Sequence, residues 1–161
     1  MSILVNKKSK LIVQGITGFQ GKFHTGQMIE YGTDIVAGVT PGKGNEMVHN
    51  VPVYDTIEEA FKEHKANASI CFVPGPHAKS ALIEALDYDL DPIIMITEHI
   101  PLHDTMSAVY LARHRNIHIV GPNTPGLISP GKCKVGIMPS HMFKKGNVGI
   151  ISRSDTLSYE I

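Results

Sequence analysis

A doubly wound, parallel α/β sheet of the Rossmann-like type is the fold class this sequence predicts, and three observations predict it. Short β-branched apolar runs alternate with helix-period segments along roughly the first 120 residues. The runs are almost continuously apolar, as strands buried on both faces are. Between the first run and the first helical segment stands "QGITGFQGKFH", with glycines at Gly15, Gly18 and Gly21. A turn of that spacing lets the backbone approach a phosphate at a helix start.

The elements follow in order. "KLIVQ" (10–14) predicts a strand, 19–31 a helix and "DIVAGVT" (34–40) a second strand. "VPVYD" is a short extended piece, and "TIEEAFKEHK" a helix opened by Thr56 with Glu59 three residues on, the capping-box spacing. "ASICFV" (68–73) reads as a buried strand, and 77–88 as a helix with Ala78, Ala81, Leu82, Ala85 and Leu86 on one face. "PIIMIT" (92–97) is a strand, 104–115 a helix capped by Asp104, and "IHIV" (117–120) the next strand. Crossover helices joining parallel strands then cover both faces of the sheet. The alternation lapses from about 121, and "GNVGIISRSDTLSYEI" reads as the start of a new strand and helix. Residues 1–130 are therefore expected to form the domain, and 131–161 a linker and the beginning of a second one.

Composition narrows the function classes. With 15 basic and 15 acidic residues there is no surplus to neutralise a nucleic-acid backbone, so no nucleic-acid partner is expected. No apolar run approaches the roughly 18 residues of a membrane helix, so no membrane partner is expected either. The N-terminus "MSILVNKKSK" lacks a secretory or transit pattern. The expected location is cytoplasmic, or the mitochondrial matrix for a processed organellar form. Of the two cysteines, Cys71 is expected to pack as a small apolar residue; Cys133, between Lys132 and Lys134, is the more reactive candidate because neighbouring cations lower a thiol pKa. His99/His103 and His114/His118 are each four apart, but Pro101 interrupts the first pair and the second straddles a helix end. No metal site is expected. Tyr31, Tyr54, Tyr88 and Tyr110 are expected to pack.

Ligands of an open parallel sheet bind beyond the carboxyl ends of its strands. Those ends read "QGITGFQG", "VTPGKG", "VPGPH", "MITEHIP" and "GPNTPG". A nicotinamide-dinucleotide site places a carboxylate about 20 residues past the glycine turn; here the loop has no acid but has Lys43. A lysine there suits a phosphate on the adenosine ribose, pointing to NADP or coenzyme A. Thr97 and Glu98 follow a buried strand, where amides, a hydroxyl and a carboxylate could meet pantetheine amides or a base edge.

In order and over essentially the whole chain, "QGITGFQGKFH", "GVTPGKG", "MITEHIP", "GPNTPG", "GKCKVGIMP" and "GNVGIISRSDTLSYE" resemble the α subunit of succinate-CoA ligase (succinyl-CoA synthetase). The resemblance implies an N-terminal domain that binds coenzyme A and a second domain whose histidine is transiently phosphorylated. It also implies a β subunit that brings ATP or GTP with Mg. Thr17, Gly18, Phe19 and Gln20 match the family's CoA-binding turn, Lys43 its coenzyme-contacting lysine, and Ile96, Thr97 and Glu98 its third binding stretch. Tyr159 matches a tyrosine near substrate contributed by the partner subunit. The implied reaction is a step of the tricarboxylic acid cycle in which the histidine passes its phosphoryl group to succinate and the coenzyme thiol displaces phosphate.

Departures accompany the match. Thr124 stands where the family's "GPNCPG" has cysteine, and Asp155 where "SRSGTLTYE" has glycine, a carboxylate that repels phosphate at a helix start. None of the nine histidines lies in the phosphohistidine context, so no catalytic residue is expected in this chain and it should not complete the reaction by itself. The alternatives are a free-standing CoA-binding module and an NADP-dependent oxidoreductase domain.

Overall fold

Leu11, Ile12 and Val13 are wholly buried in β1 (Lys10–Gln14), the middle strand of a seven-stranded sheet. The computed structural model describes residues 2–154 and 156–159. After β1 come α1 (Phe19–Glu30), β2 (Asp34–Val39), β3 (Met47–Val48), β4 (Val51–Tyr54), α2 (Ile57–Glu63), β5 (Ala68–Cys71), α3 (Gly75–Asp87), β6 (Ile93–Met95), α4 (Leu102–His114) and β7 (Ile119–Val120). Strand order is β3-β4-β2-β1-β5-β6-β7. All neighbours are parallel except the edge pair β3–β4. The predicted α/β class is the observed one.

Right-handed crossovers that run in opposite directions from β1 put their helices on opposite faces. One face is covered by Ile57 and Ala60 of α2, Ala78, Ala81, Leu82, Ala85 and Leu86 of α3, and Ala108 and Ala112 of α4. Among the described residues, α1 is the one helix that packs against the other face, through Met28. A single helix cannot cover seven strands, and a hairpin completes the layer: β8 (Gly126–Ser129) pairs antiparallel with β9 (Cys133–Gly136). Cys133 and Val135 share a buried cluster with Ile70 and Ile94. Two backbones pass so closely there that a Cβ on Gly126 would lie 2.0 Å from the Val135 carbonyl oxygen. The hairpin is tied to the rest by side chains: Thr33 Oγ1 donates to the Lys134 carbonyl at 2.7 Å, Ser129 Oγ to the Val5 carbonyl at 2.7 Å, and the Gly131 amide to Tyr31 Oη at 2.9 Å.

Several expectations are corrected. Helices lie on both faces but do not by themselves cover the second, and the packed core runs past residue 130, through β9. Periodicity missed this hairpin because two four-residue strands containing glycine and lysine carry almost no alternation. Among the described residues, 137–154 hold no strand, only a 3-10 turn at Ser140–Met142; a second such turn spans Thr156–Tyr159. Asp155 lies outside the described residues. Helix α4 begins at Leu102 after Pro101, so Asp104 is not its cap; it sits in the first turn and pairs with Lys79 of α3 at 2.9 Å. Thr56 does cap α2, accepting the Glu59 amide at 3.2 Å, while the Glu59 carboxylate reaches back to the Asp55 amide at 3.2 Å. Cys133 is buried, and burial raises its thiol pKa despite the flanking lysines. Tyr110 does not pack inward; it is exposed and edge-on to His114.

If the hairpin is part of this core, Val135→Ala should destabilise the chain by about 2 kcal/mol, the sum of lost burial and residual cavity. Urea unfolding reads this as a lower midpoint; an unchanged midpoint would make the hairpin peripheral.

Candidate functional site

Because the strands run parallel, their carboxyl ends share one edge: Gln14 lies beside Val39 and Cys71, Cys71 beside Met95, and Ile94 beside Val120. The chain leaves β1 and β5 in opposite directions, which opens a crevice between their ends. The glycine turn stands at that crevice.

Three contacts shape the turn. Gly15 has φ +79°, and a Cβ on it would stand 3.1 Å from the Phe72 carbonyl carbon and the Val73 nitrogen. The Gly15 amide donates to the Val39 carbonyl at 2.7 Å and the Gly18 amide to the Gly15 carbonyl at 3.2 Å. Ile16, fully buried, lies on Gly38, where a Cβ would meet its Cγ2 at 2.4 Å. Helix α1 then starts at Phe19 with Gly18 as its cap, so no side chain caps its opening amides and no carboxylate stands in its first turn. Unclaimed amides and the positive helix end favour an anion there. Thr17 is half-buried, Gln20 exposed and Phe19 84% exposed.

Lys43 follows β2 in a tight turn with Pro41 and left-handed Gly42 (φ +76°) at its centre, closed by the Lys43 amide donating to the Thr40 carbonyl at 3.1 Å. Its ammonium is 3.1 Å from Glu46 Oε1, both side chains about half exposed. On the other flank, Ile96 and Thr97 are half-buried and Glu98 exposed. The Thr97 hydroxyl is not idle: it donates to the Val73 carbonyl at 2.6 Å, stapling the ends of β5 and β6. Glu98 does not cap α4; its Oε1 lies 3.7 Å from His99 Nε2. The start of α3 closes on this stretch, since a Cβ on Gly75 would lie 2.8 Å from the His99 carbonyl oxygen. Thr124 Oγ1 accepts the Gly126 amide at 3.2 Å and so holds the entry to β8. The Tyr159 side chain lies outside what is described. The edge therefore carries the Thr17–Gln20, Lys43 and Ile96–Glu98 stretches together.

Other residues at the edge escaped sequence reading. His24 on α1 stacks on Phe72 at the end of β5, with ring centroids 5.8 Å apart, and its Nε2 is 3.0 Å from Gln20 Oε1. Burial lowers the His24 pKa, and the nearby Lys134 ammonium lowers it further. Lys134, 3% exposed, is itself lowered by burial, which Glu30 partly opposes. Below the crevice, burial pushes the Cys71 thiol up to about 11, making it an inert packing residue. His24 was legible only as the partner four residues after Gln20; nothing local announces that it meets Phe72. Among the described residues no cluster of His, Cys, Asp and Glu could hold a metal ion, and no helix is long and apolar enough to cross a membrane.

Comparison with known proteins adds three findings. Residues 6–99 match the CoA binding domain family. The ADP-forming succinate–CoA ligase α subunit 2 of Archaeoglobus fulgidus is 55% identical over 161 residues, covering 100% of this chain and 56% of its own length. The corresponding α subunit of Aquifex aeolicus is 54% identical over 162 residues, covering 99% of this chain and 53% of its own. The chain spans about half the length of the curated relatives it matches, their N-terminal part. In fold, it superposes on ATP citrate lyase from Methanothrix soehngenii in complex with citrate and coenzyme A, with a TM-score of 0.72 at 21% identity over 83% of this chain and 24% of that one.

The lowered His24 pKa has a signed consequence. As pH falls below its ordinary value near 6.5, the unfolded chain takes up this proton before the folded one, so His24 contributes stability above about pH 6.5 that is lost below it. His24→Asn should flatten the fall in urea midpoint between about pH 7.5 and pH 5; an unaltered slope would place that acid sensitivity elsewhere.

Proposed function

The chain belongs to the CoA-binding domain family, and from that premise we propose that it holds coenzyme A along the carboxyl edge of its sheet, as the CoA-binding part of a succinate–CoA ligase α subunit. The observation that carries the reading is the reach of the edge. Lys43 follows β2 and Ile96–Glu98 follow β6, with β1 and β5 between them, a separation of about 14 Å at ordinary strand spacing. The uncapped start of α1 lies between the two. A ligand that meets all three is long, with phosphate groups at one end and in its middle.

The donor set fits such a ligand. Anionic groups need donors without competing carboxylates, and α1 opens with neither cap nor acid in its first turn. Thr17, Gly18, Phe19 and Gln20 would hold the diphosphate by backbone amides and exposed side chains. Lys43 would leave Glu46 for the ribose phosphate, a small loss because that pair is exposed. Ile96, Thr97 and Glu98 would take the pantetheine arm through backbone groups and the Glu98 carboxylate, the Thr97 hydroxyl keeping its bond to Val73. Bound coenzyme A supplies a thiol nucleophile. This chain's residues orient that thiol by fixing the rest of the molecule, a proximity effect. Cys71, with its raised pKa, takes no part.

The remainder of the activity belongs to the same proposal: a second domain beginning beyond β9 and carrying the phosphorylated histidine; a β subunit contributing Mg and ATP or GTP, together with substrate near which Tyr159 would lie; and a cytoplasmic place in the tricarboxylic acid cycle. The ADP-forming relatives favour ATP.

Calorimetric titration tests the reading. Coenzyme A should bind saturably, and Lys43→Ala should weaken it about tenfold, the loss of one charge-assisted contact, while leaving dephospho-CoA unaffected. No coenzyme A binding by the folded chain at about millimolar concentration would overturn it, and tighter binding of NADPH would replace it with the oxidoreductase reading.

A further inference from the structure

Asp55 follows β4 and stands across from the Lys43 turn. Its Oδ1 accepts two successive amides of that turn, Lys43 at 2.9 Å and Gly44 at 2.8 Å. Further bonds fix the limbs of the loop, and the Glu46 amide donates to the Lys43 carbonyl at 3.3 Å. The Thr40 amide donates to the Tyr54 carbonyl at 2.9 Å on one side; on the other the Asn45 amide donates to the Val53 carbonyl at 3.0 Å, and the Val53 amide to the Glu46 carbonyl at 3.0 Å. At the tip, the Lys43 amide has the Thr40 carbonyl at 3.1 Å as well, and the Gly44 amide has Asp55 alone among the described residues. The fit is close: a Cβ on Gly44 would lie 2.9 Å from Asp55 Oδ2. Asp55 is in turn oriented by Glu59, whose carboxylate accepts the Asp55 amide at 3.2 Å.

This geometry matters because a lysine side chain is long and mobile. Where its ammonium can reach is set by where its Cα is held, and the Lys43 Cα lies between two amides that Asp55 binds, the first shared with the Thr40 carbonyl and the second, among the described residues, held by Asp55 alone. We infer that Asp55 is a positioning residue for the ribose-phosphate end of the coenzyme site, acting through Lys43; this rests on the coenzyme A reading above. The carboxylate that a dinucleotide site would offer to ribose hydroxyls is absent from the tip of this loop; here a carboxylate is instead turned inward, onto the loop's own backbone. A negative group placed so close to a phosphate site is tolerable because its Oδ1 is already hydrogen-bonded to two donors.

The inference is tested by the ratio of coenzyme A to dephospho-CoA affinity, which general loss of structure would not move. Asp55→Ala should lower coenzyme A affinity about tenfold and change dephospho-CoA less than about twofold. Asp55→Asn, which keeps the acceptor oxygen, should retain the wild-type ratio. In a Lys43→Ala background, Asp55→Ala should add nothing, since the two act on one contact. A wild-type ratio in Asp55→Ala, a loss in Asp55→Asn as large as in Asp55→Ala, or full additivity with Lys43→Ala would each overturn the role of Asp55 while leaving the coenzyme reading standing. A wild-type chain that does not separate the two ligands would overturn the Lys43 assignment and this inference with it.

Discussion

The rest of the carboxyl edge depends on one close approach, that of Gly21 to the carbonyl of Gly15. A Cβ on Gly21 would lie 2.1 Å from that oxygen, so helix α1 rests directly on the turn that precedes it. The same turn is pressed from behind by the end of β5 and anchored by Ile16 against Gly38. Three glycines thus perform one task from three elements. They bring the start of a helix over the gap between two strands, and the helix arrives with its first amides uncommitted. Everything proposed to bind there is arranged around that bare helix end.

The sheet is covered unequally, and that asymmetry explains the late part of the chain. Three helices close one face. The other has α1 and would expose the apolar outer sides of β5 and β6, were it not for the β8–β9 hairpin. The hairpin's tethers reach the end of α1 and the loop beyond it, at Tyr31 and Thr33. Lys134 is thereby buried near His24, which joins the hairpin electrostatically to the helix that opens the site.

Net charge is zero, so attraction for an anionic ligand cannot come from a general positive field. It comes from a few local arrangements: a helix start without an acid, a lysine at a loop tip, and carboxylates that are occupied. Asp55 is bound to two amides, and Asp104 is paired with Lys79. Glu84, half-buried on α3, accepts the Ile57 amide at 2.7 Å, and burial raises its pKa. The acids near this edge are largely turned to structural use.

The sequence alone determined the strand and helix order through β7 except for the two-residue edge strand β3, together with the glycine turn, the lysine past β2 and the Ile96–Glu98 stretch past β6, because each depends on local signals: apolar period, backbone freedom at glycine and residue type at a strand end. It did not determine the hairpin, whose strands are stable only against a face that α1 leaves open. Nor did it determine that Cys133 would be buried, that Asp104 would pair with Lys79, that the Thr97 hydroxyl would staple β5 to β6, or that Asp55 would bind a loop 12 residues away in sequence. Those contacts join residues far apart in the chain. Only the folded sheet brings them within bonding distance, because the parallel order of strands, and not sequence spacing, decides which ends are neighbours.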